Sequence, residues 1–405
     1  MSTTVEQLPP PTDSASAERW GAVWCLSLGI FVIVTAEILP IGLLPEIGAE
    51  FGVSHGTTGL LMTLPGILAA VSAPLVTIAT SRVDRRIMLV ALLITLVVAN
   101  LMCASAPAFW VLLGGRALLG VVIGGFWSIG AGLSPRLVRS AATAKATAVI
   151  FAAVPAGSVI GVPAGTELGR LAGWRWSFVV LGVGTALVAG ALAYTLPRLP
   201  AIRITSGAVL LTLLRKRGTG VHAGLLVTAM IVIAHFGAYT YVTPFLRETT
   251  GVGEQTVSVY LLLYGVAGIA GTAVAGRTLA RGPRATFTAA AALIATTTLL
   301  LPVLGQQAFA VVAALLVWGL AYGMVPACSQ TWFARSAPQH PEAATVLFTS
   351  SFQFTLAAGA LLGGLVVDAS STATVMACAG ALAILTAGAA WALGSPARWR
   401  SSGTD

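Results

Sequence analysis

Residues 87–105 read IMLVALLITLVVANLMCAS, with Asp84-Arg85-Arg86 just before them and Ala106-Pro107 just after. No charge interrupts this run. A helix needs about 20 mostly apolar residues to cross the hydrocarbon core, where every backbone N–H and C=O must bond within the segment. The rest of the chain repeats the pattern. Of 405 residues, 57% are hydrophobic and 9% charged, against about 25% charged in an ordinary soluble domain. So few charges cannot solvate the surface of a soluble fold this large. Disordered chains show the opposite balance, poor in apolar residues and rich in charge. Cys25, Cys103, Cys328 and Cys378 lie far apart in apolar stretches, without CxxC or histidine spacing, which excludes a disulfide scaffold and a cysteine metal site. The sequence reads as an all-α integral membrane protein.

Twelve stretches have the required length and apolarity, near 21–45, 56–80, 87–105, 107–130, 146–166, 177–196, 222–246, 257–279, 286–304, 308–331, 345–367 and 373–394. Turn residues or charge separate them, as at Ser105-Ala-Pro107, Gly173-Trp-Arg175, Gly305-Gln-Gln307 and Asp368-Ala-Ser-Ser371. Residues 1–20, with Pro9-Pro-Pro11, Glu6, Asp13 and Glu18, read as a disordered tail. They lack the basic, apolar and small-residue order of a signal peptide. With both termini cytoplasmic, 18 of the 22 Lys and Arg fall on the inner side, and only Arg170, Arg175 and Arg247 outside. By the positive-inside rule this split sets the topology. The net charge of +9 is thereby a topology and lipid-headgroup signal, and nucleic acid is not an expected partner.

The longest interior polar stretch, 197–221, carries Arg198, Arg203, Arg215, Lys216 and Arg217. It divides a tail (1–20) and a six-helix bundle (21–196) from a second bundle (222–394) and a C-terminal tail (395–405). Internal similarity points to duplication. Glu37-Ile-Leu-Pro40 parallels Tyr239 to Pro244; Gly120-x3-Gly124 matches Gly319-x3-Gly323; Gly157-x3-Gly161 matches Gly359-x3-Gly363. Two pseudo-symmetric bundles of this kind enclose a cavity that opens to either side in turn.

Ionisable groups are costly within a span and face a bundle interior or a water-filled cavity. Three stand out: Glu37 in span one, Arg116 in span four and His235 in span seven. Glu37 reads as a carboxylate that takes up and releases a proton, or as a helix-end carboxylate bonded to a neighbouring span. Arg116 holds an anion, pairs with a carboxylate, or anchors backbone. His235 titrates, donates to a ligand, or is a satisfied buried histidine. Glu167 and Asp368, at span ends, read as interfacial. Trp127, Ser128, Tyr239, Tyr241, Gln330 and Gln353 are candidates to line a cavity, against a packing role for each aromatic. For Gln353, burial in lipid is expensive and calls for a cavity or an interhelical bond. The sequence contains no GxxxxGK[ST], HExxH or GxSxG and no metal-spaced cluster, so neither an enzyme nor a cofactor is expected.

Several phrases together resemble the major facilitator superfamily, over roughly residues 20–394, and within it the twelve-span drug:proton antiporters. Glu37-Ile-Leu-Pro-Ile-Gly-Leu-Leu-Pro45 is similar to that group's span-one motif, and Arg116-Ala-Leu-Leu-Gly120 to its span-four motif. Gly157-Ser-Val-Ile-Gly161-Val-Pro163-Ala-Gly165, followed by Gly173-Trp-Arg175, is similar to the span-five motif of antiporters. The loop after span two keeps Asp84 and Arg85 of the superfamily's gating motif but lacks its glycines. Val83-Asp-Arg-Arg86, Gly124-Gly-Phe-Trp127, Trp318-Gly-Leu and Val325-Pro326 look most like purine ribonucleoside efflux pumps. The resemblance implies a monomeric, proton-coupled exporter of a small organic molecule, with Glu37 and Arg116 in proton coupling. Export of multiple drugs, chloramphenicol-type compounds or sugars is the alternative, and a non-transporting membrane sensor a further one. Arg outnumbers Lys twenty to two, a composition pointing to a GC-rich bacterial genome and a bacterial cytoplasmic membrane.

Overall fold

The computed structural model describes residues 18–394 apart from 81–82, 131–132, 140–141, 201–214, 216–219, 280–282 and 338–340. Most of the tail at 1–20, most of the linker at 197–221 and the tail at 395–405 lie outside the described residues. So do Arg82, Arg203, Lys216, Arg217, Arg281, Arg398 and Arg400, counted above for orientation.

Among the described residues there is no strand, and twelve helices are long and apolar enough to cross a membrane. Spans one to four are Trp20–Ile38, Leu60–Ala79, Arg85–Ala104 and Phe109–Ile129. Span five runs from Thr143–Ala156 through a wide turn at Gly157–Gly161 to Val162–Ala172, and span six is Trp174–Thr195. Spans seven to twelve are Gly220–Tyr239, Glu254–Thr278, Pro283–Leu304, Ala308–Ser336, Pro341–Ala369 and Thr372–Leu393.

Three stretches that read as continuous in the sequence are interrupted in the structure. Span one stops at Ile38, and a second helix, Pro40–Phe51, continues it. Pro40 has no N–H to give, so the helical ladder fails there. Span seven stops at Tyr239 and resumes as Val242–Glu248. The wide turn in span five has π-type bonding and lies between Pro155 and Pro163, where the ladder again lacks donors. Short polar side chains cap the starts of spans three and twelve. Asp84 accepts the Arg86 N–H at 2.8 Å, and Ser371 the Thr374 N–H at 3.1 Å.

In lipid, helices associate through close packing, which small residues permit. The matched glycine pairs make matched contacts. Gly120 and Gly124 lie against Pro65 and Ala69 of span two; Gly319 and Gly323 lie against Tyr264 and Gly268 of span eight. Gly157 and Gly161 lie against Phe31, Val34 and Thr35 of span one; Gly359 and Gly363 lie against Ile233 and Gly237 of span seven. A Cβ on most of these would fall within about 3 Å of a neighbouring backbone or β-branched side chain, so each glycine sets how near two spans approach.

Buried apolar side chains form one cluster spanning Ala22 to Leu199 and another drawn mostly from Ala223 to Ala390. Between these halves, span two packs on span eleven and span five on span eight, with Gly66 against Gln353 and Ala357, and Gly265 against Val159. Polar contacts join the halves at the end bearing residues 46–58. Ser54 Oγ donates to Asp368 Oδ2 at 2.6 Å, and the Gly56 N–H to Asp368 Oδ1 at 2.9 Å. His55 Nε2 meets Glu248 Oε1 at 2.8 Å, and Arg247 pairs with Glu46. The halves are sealed together there.

Candidate functional site

The sealed end leads down to a set of buried polar groups, and Arg116 is its fixed point. The side chain is 1% exposed. Its Nε donates to Leu61 O at 2.7 Å, Nη2 to Glu37 O at 2.8 Å, and Nη1 to Ala36 O. Two of these carbonyls have a common history. Ala36 is four residues before Pro40, and Leu61 four before Pro65. In a regular helix each carbonyl accepts from the residue four ahead, and proline has nothing to donate. The guanidinium supplies the missing donors, tying spans one, two and four together where the first is broken and the second carries Pro65.

The clamp places the Glu37 side chain at the junction of the halves. Glu37 is 8% exposed and Gln353, in span eleven, 5% exposed. Gln353 Nε2 donates to Glu37 Oε1 at 3.0 Å. Arg116 is used on carbonyls, and no hydrogen bond or ion pair between its guanidinium and the Glu37 carboxylate occurs among the described residues. The carboxylate is thus held by a neutral amide from the opposite half, with a fixed positive charge nearby.

A second cluster lies wholly in the C-terminal half. His235 Nδ1 accepts from Trp318 Nε1 at 3.1 Å, which leaves the neutral ring's proton on Nε2. The imidazole stacks on Tyr322, with centroids 3.3 Å apart and planes 6° from parallel. Tyr239 and Tyr264 stack with each other at 4.6 Å, in planes 18° from that of His235. Trp318 stands edge-on to His235, Tyr239 and Tyr264. The Tyr264 hydroxyl is buried and has no hydrogen-bond partner among the described residues.

The other candidates are dispersed. Trp127 packs on Phe151 in the N-terminal half, and Ser128 Oγ bonds its own helix at Gly125 O. Gln330 is exposed on span ten. Asp84 is the helix cap already described. Arg85 is buried, with its N–H on Leu199 O and Nη1 on Thr80 O, inside the N-terminal half. Gly157, Gly161 and Gly165 line the face of span five that meets span one and its continuation at Leu39, and Pro163 follows the wide turn. Tyr241 is buried and donates to Ala360 O at 2.8 Å. Tyr264, Tyr322 and Phe352 are absent from the sequence-based candidates. Their only signal is an aromatic ring near the middle of a span, which packing also explains. Among the described residues no three His, Cys, Asp or Glu gather as for a metal ion.

The Major Facilitator Superfamily model matches residues 26–349. A purine ribonucleoside efflux pump, NepI, from Salmonella paratyphi A is 32% identical over 375 residues, covering 93% of this chain and 94% of that protein. OpdE from Pseudomonas aeruginosa, called a transcription regulatory protein, is 34% identical over 380 residues, covering 91% and 94%. Among solved structures, a bacterial homologue of the human lysosomal transporter Spinster, inward-facing and unoccupied, aligns with a TM-score of 0.69 at 15% identity, over 96% of this chain and 97% of that one. The human organic anion transporter MFSD10 aligns at 0.67 and 18% identity, over 94% and 100%.

Proposed function

This chain belongs to the major facilitator superfamily, and on that premise we propose that it exports a small organic molecule, a purine ribonucleoside, in exchange for protons. The reading places it in a bacterial cytoplasmic membrane with both termini inside, as the distribution of its basic residues supports. The observation that carries the proposal is the Glu37–Gln353 bond between the halves. An alternating-access cycle has to break contacts of this kind as one half rocks against the other. An ionised carboxylate accepts an amide N–H in a charge-assisted bond about twice as strong as a neutral one. Protonation of Glu37 therefore weakens a tie between the halves. A proton and a substrate that favour different states then bias one two-state equilibrium in opposite directions. Arg116 keeps the carboxylate in register by fixing the backbone that bears it.

The test is flux. Proteoliposomes loaded with labelled inosine or adenosine and given a pH gradient should release label, and Glu37→Gln should abolish the gradient dependence. Full gradient-driven release by that variant would contradict the proposal.

A second reading has one observation behind it. The Pseudomonas relative carries a regulatory name, so a sensor built on a transporter fold stands beside the exporter. A sensor binds its ligand without moving it, and the same flux assay separates the two.

A further inference from the structure

We propose that the ring of Tyr322 is a stacking platform for a planar heteroaromatic substrate, with Gln353 reading the polar edge of that substrate; this rests on the exporter reading above and names the substrate class of its site. The first observation is which part of the aromatic cluster remains open. His235, Tyr239, Tyr264 and Trp318 are all buried, whereas Tyr322 is only half-buried although it stands at the middle of span ten. One face of its ring is covered by His235. Phe236 meets it edge-on at 5.8 Å, and Phe236 in turn meets half-buried Phe352 at 6.4 Å, both at 87°.

The second observation is where these rings lead. The rings run from Tyr322 through Phe236 to Phe352 of span eleven, the span that packs on span two of the opposite half. Phe352 is the chain neighbour of Gln353, whose amide lies on Glu37. This chain of rings sets Tyr322 beside the junction of the halves, on the side where Gln353 meets Glu37.

The chemistry of the class follows. Every nucleobase offers a π-face, and stacking on an aromatic side chain is tolerant of which base it is. The imidazole behind Tyr322 is held in plane by Trp318, so the platform is stiff before any ligand arrives. A carboxamide presents a donor and an acceptor side by side, which matches the edge of a purine. One N–H of the Gln353 amide stays on Glu37 Oε1, which leaves its second N–H and its carbonyl for the ring, so a bound ring and an ionised Glu37 belong to the same state and substrate opposes the proton. A free pentose has no π-face to lay on the ring, which sets it apart from the nucleobase.

The experiment is inosine transport by wild type, Tyr322→Phe and Tyr322→Leu, with ribose as competitor. The proposal predicts that Tyr322→Phe keeps the wild-type KM, that Tyr322→Leu raises KM about 5-fold or more, and that ribose does not compete. Transport of inosine by Tyr322→Leu with unchanged KM would overturn the platform and leave the exporter reading intact. Absence of inosine transport in wild type would overturn the nucleoside reading, and with it this inference, unless another planar aromatic compound is exported with the same Tyr322→Leu penalty. Should the leucine variant fold poorly, maleimide labelling of Tyr322→Cys in a Cys378→Ser background decides. Protection by inosine and not by ribose supports the platform, and equal labelling with and without inosine contradicts it.

Discussion

Arg116 Nε donates at 2.7 Å to the carbonyl of Leu61, the acceptor that Pro65 has no N–H to serve. The same guanidinium serves Ala36, the carbonyl left open by Pro40. A buried carbonyl without a donor costs about 1–3 kcal/mol. Arg116→Ala, which orphans Leu61, Ala36 and Glu37 carbonyls together, should therefore lose about 3 kcal/mol or more in a mixed-micelle unfolding titration. Arg116→Lys should recover only part of it, because an ammonium lacks the planar fork that reaches all three. Pro65→Ala restores one N–H, so the arginine truncation should cost about 1 kcal/mol less in that background. Strict additivity of the two changes would count against the clamp.

Gln353 is the only residue donating to the Glu37 side chain among the described hydrogen bonds. Gln353→Leu should destabilise the protein by about 1–3 kcal/mol at a pH where Glu37 is ionised, since it leaves a buried acceptor unpaired. Glu37→Gln combined with Gln353→Leu should cost less than the sum of the single changes. The same titration, run on the four proteins of the cycle, checks this.

At the sealed end, a Cβ on Gly56 would stand 2.5 Å from Gly364 O and also meet the Asp368 carboxylate. Backbone cannot yield as a side-chain tip does. Gly56→Ala should push the halves apart there and raise the population open at that end. Spin labels at Ala49 and Ser370, both exposed at that end, should report a longer distance in the variant than in wild type. An unchanged distance distribution would show that the close approach does not control the seal.

Glu50 gives a pH dependence outside the spans. Burial alone would raise its carboxyl, but the hydrogen bonds from Arg175 and Trp174 and the guanidinium charge outweigh that and hold it below the usual carboxylate range. A carboxyl depressed in the fold stabilises above its unfolded pKa of about 4.3. That contribution fades as pH falls through the lower folded value. Thermal melts of wild type and Glu50→Gln should differ at pH 6 and converge as the pH falls well below 4. The gap should be small, because the pair is largely exposed and screened. A gap that widens toward low pH would reverse the assignment.

The architecture was legible in the sequence because span length and apolarity are local properties. Twelve spans and the glycine pairs of spans four, five, ten and eleven could be read residue by residue. Glu37, Arg116 and Gln353 were visible as polar groups in apolar stretches, but their relation was not. Glu37 and Gln353 are 316 residues apart, and periodicity within a helix says nothing of which helix it meets. The arginine–proline arrangement had a signal in Pro40 and Pro65, whose unserved carbonyls follow from chemistry, but no spacing rule points to residue 116. Tyr264 and Tyr322 stayed hidden because a mid-span aromatic is ordinary packing until its neighbours are known. The sealed end escaped for the opposite reason: Ser54, His55, Asp368 and Arg247 sit at or near helix ends, where polar residues look solvated one at a time.

The central claim is that Glu37 carries the proton exchanged for substrate. Its most direct test is proton release on substrate binding, followed with a pH indicator in weakly buffered detergent solution near neutral pH. Wild-type protein should release protons into solution when inosine is added. Glu37→Gln should release none while still binding inosine. Equal release by the two proteins would assign the proton to another group and contradict the account.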